Sequence, residues 1–148
     1  MTLHILVPVK HLSNSKTRLA PVLAEQERQA LALRLLHGVL AVAQQAQQQL
    51  GALVIVVSPD PAVLALAATY NLTSLLEDPA PPSGYGLRVT HYTDPALNAA
   101  LEQATAYASA RGASAVLILP ADLPLLTLAD VQRLWRASQQ LYAGAAMV

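Results

Sequence analysis

Short unbroken apolar runs alternate along this chain with longer stretches in which apolar residues recur every three or four positions. "LHILVPV" (3–9) is nearly continuous, as a strand buried on both faces requires, and Pro8 puts its last part at a strand end. After a loop containing Pro21, residues 24–50 repeat apolar positions at Leu31, Leu35, Val39, Val42, Ala46 and Leu50. That periodicity predicts a helix about 40 Å long, with Gly51 placed to end it. "ALVIVVS" (52–58) predicts a second buried strand. "DPAVLALAATY" (60–70) predicts a helix capped by Asp60 with Pro61 at its first position.

"TSLLED" (73–78) reads as a short third strand and "PAPPSGYG" (79–86) as the one turn-rich segment. "LRVTHYT" (87–93) fits an edge strand or an ordered loop equally well. "DPALNAALEQATAYASA" (94–110) repeats the Asp-Pro helix start, and Gly112 closes it. "AVLILP" (115–120) predicts a strongly buried strand. "TLADVQRLWRASQQL" (127–141) predicts a helix capped by Thr127, with Asp130 at the capping-box position. "AGAAMV" (143–148) starts another apolar run. The glutamines at 44–49 read as a solvated helix end.

Strands alternating with helices predict an α/β fold, a three-layer sandwich with a mostly parallel sheet. Neither an internal repeat nor a second domain is visible. Parallel sheets bind ligands at the carboxyl ends of their strands. Two loops are expected to meet there, one after strand 3–9 and one after strand 115–120.

Composition narrows the function. With 148 residues, 54% apolar and 12% charged, the chain can bury one core. Nine basic residues balance nine acidic ones, which argues against a nucleic-acid footprint. Cysteine is absent, which excludes disulfides, thiolate chemistry and zinc–cysteine sites. No stretch resembles a secretory signal or is long and apolar enough to span a bilayer, so a soluble cytoplasmic protein is expected.

Against this sparing use of charge, both lysines of the chain, Lys10 and Lys16, fall with Arg18 in the loop after the first strand. Ser13, Asn14, Ser15 and Thr17 lie among them. Cations with short polar neighbours suit an anion, phosphate above all. A solvated loop that merely aids solubility is the alternative, and the crowding of scarce cations at one predicted ligand-binding edge opposes it. Asp122, in "LILPADLPLL" (117–126), follows a very apolar strand without an adjacent basic residue. It either meets a cation, such as Mg2+ carrying nucleotide phosphates, or caps a turn. The histidines His4, His11, His37 and His91 lack metal-ligand spacing, and only His11 lies within the cationic loop. "GYGLRV" (84–89) lacks the third glycine of a dinucleotide fingerprint, and there is no Walker A sequence.

"VPVKHLSNSKTRLAPVLAEQERQALALRLL" (7–36), "ALNAALEQA" (96–104) and "VLILPADLPLLT" (116–127) together resemble the 2-phospho-L-lactate guanylyltransferase family of coenzyme F420 biosynthesis. The resemblance implies a nucleotide-diphospho-sugar-transferase-like (GT-A, Rossmann-like) sandwich. It also implies transfer of GMP from GTP to 2-phospho-L-lactate, phosphoenolpyruvate or another three-carbon phosphoacid, with release of pyrophosphate. On the matching positions, Lys10, Lys16 and Arg18 would hold the triphosphate. Pro8, Val9 and Leu12 would cradle the guanosine, Asn98 would face the nucleotide, and Asp122 would bind Mg2+. An acceptor phosphate already ionised at neutral pH needs no general base, which fits the absence of Ser–His machinery.

The chain departs from the family pattern in two places. Ala96, after Pro95, stands where the family usually has glycine. The family's Gly-Thr-Asn stretch, second metal-binding acid and acceptor loop would lie beyond Val148, so a fragment or a form without the acceptor half is expected. Two alternatives remain: a nucleotidyltransferase for a molybdopterin or sugar phosphate, and a non-catalytic nucleotide-binding module. In the second, the apolar run 143–148 beside an unfinished sheet would favour pairing with another chain, a homo-oligomer included.

Overall fold

The computed structural model of the chain describes residues 2–14, 16–78 and 95–145. Among the described residues, four strands, β1 (Leu3–Pro8), β2 (Leu53–Ser58), β3 (Thr73–Leu76) and β4 (Ala115–Ile118), form one parallel sheet in the order β3-β2-β1-β4. The helices described are α1 (Glu25–Leu50), α2 (Pro61–Thr69), α3 (Pro95–Ala110) and α4 (Leu128–Ala145). The expected three-layer α/β sandwich is present. Alternation along β1 and β2 divides the core between the two faces. Ile5, Val7, Val54 and Val56 pack with α1, α2 and α4, and Leu6, Ile55 and Val57 pack with α3. Among the described residues, no helix is long and apolar enough to cross a membrane.

Local chemistry sets the helix ends. Asp60 accepts the Ala62 N–H at 3.0 Å as the cap of α2, with Pro61 next to it. Gly51 ends α1 at φ 65°, a left-handed conformation open to glycine at little cost. Ahead of α4, Asp130 Oδ2 accepts the Thr127 N–H at 3.0 Å and the Thr127 hydroxyl at 2.8 Å. The Thr127 hydroxyl is the main reason the Asp130 carboxyl is held below its usual range.

The structure corrects four expectations. Among the described residues β4 lies at the edge of the sheet, and its Val116 and Ile118 are exposed because α3 packs over β1 and β2. Residues 143–145 prolong α4 and do not start a strand. The buried stripe of α1 is Ala32, Leu36, Val39, Leu40, Ala43 and Ala46, so Leu31 and Leu35 sit at its margin. Two glutamines of the cluster are structural: Gln44 donates to the Tyr70 carbonyl at 3.0 Å and Gln47 to the Asn71 carbonyl at 2.9 Å. They fasten the α2–β3 turn to α1. The segments 79–86 and 87–93, His91 and the Asp94 cap lie outside the described residues, as do residues 146–148.

Ala100, Ala104 and Ala108 form the stripe of α3 that lies on the sheet, and Ala104 is fully buried. Small residues there let the helix sit close to Leu6, Ile55 and Val57. Ala104→Leu is expected to lower stability by about 1–3 kcal/mol through overpacking. Urea unfolding checks this, and an unchanged midpoint would mean that α3 stands off the sheet.

Candidate functional site

β1 pairs with β2 on one side and β4 on the other, so the strand order reverses between β1 and β4. The first crossovers lead outward through β2 to β3, and the chain then returns to the opposite side of β1. A parallel sheet opens a crevice at such a point, beyond the carboxyl ends of the strands. The ladder continues past the strand ends: Val9 N–H donates to the Val57 carbonyl at 3.0 Å, and Leu119 N–H to the Leu6 carbonyl at 2.9 Å. Both loops named from the sequence therefore start from fixed backbone.

The loop after β1 makes two short 3-10 turns, Leu12–Asn14 and Thr17–Leu19, with Lys16 between them. Lys16 has φ 55°, left-handed backbone that an L side chain adopts at a cost. Its carbonyl accepts the Leu19 N–H at 2.9 Å, closing the second turn. The conformation sends its ammonium across the crevice, where Nζ donates to Asp122 Oδ2 at 2.9 Å. The two residues are 106 apart in the chain.

A cleft of about 960 Å3 opens around this pair. Lys10, Lys16, Arg18 and Asp122 line its polar side, together with Glu77. Leu35 and Leu36 of α1, with Ala96, Leu97, Ala100 and Leu101 of α3, line its apolar part. The side chains of Lys16 and Asp122 are 25% and 55% exposed. An ion pair that open adds only about 0–1 kcal/mol to stability. Its components are thus available for exchange: a phosphate oxygen can take the ammonium and a hard cation the carboxylate. Among the described residues no group of three or more His, Asp or Glu could hold a metal alone. Asp122, beside Lys16 in this cleft, would suit a cation that takes the rest of its oxygens from phosphate groups.

The remaining expected residues divide. Pro8, Val9 and Leu12 line the cleft. The Val9 N–H is bonded to Val57, and the Leu12 N–H to Asp60 Oδ2 at 3.1 Å, so neither amide is available to a ligand. Asn98 is half-buried on α3 but is not among the lining residues, which are the i, i+4 pairs Ala96/Ala100 and Leu97/Leu101. His11 lines the cleft, whereas His4 is buried in β1 and His37 bonds the Tyr70 hydroxyl at 2.7 Å. Sequence reasoning missed Glu77, at the carboxyl end of β3. Its N–H donates to the Ser58 carbonyl at 3.0 Å. Gln103 holds the same strand end, donating to the Leu76 carbonyl and accepting the Asp78 N–H, each at 2.9 Å. Only the β3 ending, as a strand of a parallel sheet, could have pointed to Glu77.

A family model described as "Guanylyl transferase CofC like" matches residues 3–143. A phosphoenolpyruvate guanylyltransferase from Rubrobacter xylanophilus is 40% identical over 134 residues, covering 90% of this chain and 57% of that protein. One from Sphaerobacter thermophilus is 42% identical over 134 residues, 90% of this chain and 56% of the relative. A 2-phospho-L-lactate guanylyltransferase from Methanobrevibacter ruminantium is 32% identical over 132 residues, 89% of this chain and 53% of the relative. The chain thus spans a little over half the length of these curated relatives. Among solved structures, a protein from Desulfovibrio desulfuricans described as a nucleotide-diphospho-sugar transferase superposes with a TM-score of 0.60 at 19% identity. That match covers 88% of this chain and 52% of the other, and agrees with the fold.

The backbone of Lys16 supplies a test of the loop. Lys16→Gly and Lys16→Ala both remove the ion pair, but only glycine accepts φ 55° freely. The glycine variant is expected to be the more stable by about 1 kcal/mol. Equal urea midpoints would show that the loop is not held in this conformation.

Proposed function

The chain belongs to the CofC-like guanylyl transferase family, and from that premise we propose that it transfers GMP from GTP to phosphoenolpyruvate or 2-phospho-L-lactate, in coenzyme F420 biosynthesis. The observation that supports this most is the 2.9 Å contact between Lys16 and Asp122 at the sheet's switch point, with Lys10 and Arg18 lining the same cleft. Three cationic side chains sharing a cleft with a carboxylate beside Lys16 are what a metal-chelated triphosphate needs.

In this reading Lys10, Lys16 and Arg18 bind oxygens of the triphosphate and offset the charge that builds up on the leaving pyrophosphate. Asp122 would be a ligand for Mg2+, which when bound would neutralise charge on the phosphates. Pro8, Val9 and Leu12 present apolar surface to the nucleoside. An oxygen of the acceptor's phosphate attacks the α-phosphorus of GTP. The bond from that phosphorus to the α–β bridging oxygen breaks, and its electron pair leaves with pyrophosphate. The attacking oxygen is already ionised, so this chain's residues need only bind and orient. Because GTP is the substrate, we place the reaction in the cytoplasm.

The protein incubated with Mg2+, GTP and either phosphoacid is expected to release pyrophosphate, and to bind Mg·GTP by calorimetry. Lys16→Ala and Asp122→Asn are each expected to weaken Mg·GTP binding about tenfold or more, the worth of a charge-assisted hydrogen bond. Both should keep the far-ultraviolet circular dichroism of the unaltered protein. Unchanged affinity in both variants would contradict the assignment, and preference for CTP or sugar phosphates would move it to another nucleotidyltransferase.

A further inference from the structure

Asp60 holds two distant parts of the chain at once. Its Oδ1 caps α2 through the Ala62 N–H at 3.0 Å. Its Oδ2 accepts the Leu12 N–H at 3.1 Å, 48 residues away in sequence, and lies 3.9 Å from His11 Nδ1. The carboxylate is itself well fixed. Its side chain is only 15% exposed, and the Asp60 N–H donates to the hydroxyl of Ser58, a fully buried residue, at 3.1 Å.

Capping requires one oxygen, and serine or asparagine does it as well as aspartate. The second oxygen is surplus to the helix. A carboxylate next to a cleft for a polyanion also carries an electrostatic penalty that a neutral cap would avoid. Its return is the bond to Leu12, which pins the start of the cationic loop between Lys10 and the first 3-10 turn. We propose that Asp60 is a positioning residue: it touches no ligand, but holds residues 10–12 in the shape that presents Lys10 and His11 to an anion in the cleft. The inference rests on the reading of that cleft as a phosphate site.

Asp60→Asn and Asp60→Ser retain a cap oxygen and lose the bond to Leu12, whose N–H would face an amide NH2 or empty reach. In the unaltered protein the Leu12 amide is expected to be protected from hydrogen exchange despite its position in a loop. In both variants it should exchange at least about tenfold faster, the equivalent of about 1.4 kcal/mol. The Val63 and Leu64 amides, bonded to the Asp60 carbonyl, should not change. Affinities for Mg·GTP and for inorganic pyrophosphate, measured by calorimetry, should fall about tenfold while the melting temperature stays within the effect of a cap replacement. An unprotected Leu12 amide in the unaltered protein, or variants with faster exchange and unaltered affinities, would overturn the proposal. Binding of pyrophosphate without Mg·GTP would remove the nucleotide reading and leave Asp60 tested on pyrophosphate; binding of neither removes both.

Discussion

β1 is hydrogen-bonded on both sides to parallel neighbours, and the rest of the site follows from that constraint. Its pairing fixes Leu6 beside both Ile55 and Ile118, so β1, β2 and β4 end on the same edge of the sheet. Ile5, Leu6 and Val7 have no exposed surface, and a one-residue slip would exchange the sides on which they are buried. The registers that the core enforces therefore deliver two loops, far apart in sequence, to one crevice. Lys16 and Asp122 meet because hydrophobic packing leaves their loops nowhere else to begin.

The electrostatics of the crevice are correspondingly economical. A half-exposed ion pair contributes little to folding, so the protein can give it up to a ligand without losing stability. The chain holds the pair in place by backbone, through the left-handed Lys16 and the two 3-10 turns. Such local strain is stored where a side chain must be aimed. Elsewhere, polar side chains anchor the frame: Gln44 and Gln47 hold the turn before β3, and Gln103 holds the strand end after it.

Much of this was legible in the sequence because it is written locally. The apolar runs announced β1 and β2, the Asp-Pro start announced α2, and Thr127 with Asp130 announced the beginning of α4. The scarcity of lysine made Lys10 and Lys16 stand out before any fold was known. What stayed hidden depends on distant partners. The edge position of β4 comes from strand order, which the apolar run 115–120 does not encode. Asp60 was visible as a cap, but its bond to Leu12 spans two elements. Gln44 and Gln47 looked solvated because their acceptors lie in a turn about 25 residues away. The buried stripe of α1 runs through Leu36 where the apolar period pointed to Leu35, because burial depends on which face the sheet covers.

In the proposed function, one metal-chelated nucleotide would bridge the loops after β1 and β4. Paramagnetic broadening of backbone amides by Mn2+·GTP tests it most directly. Residues 9–12, 16–19 and 121–123 are expected to broaden together at the lowest Mn2+·GTP additions, while residues 45–50, at the opposite end of the strands, stay sharp. Broadening centred at that opposite end, or on only one of the two loops, would contradict it.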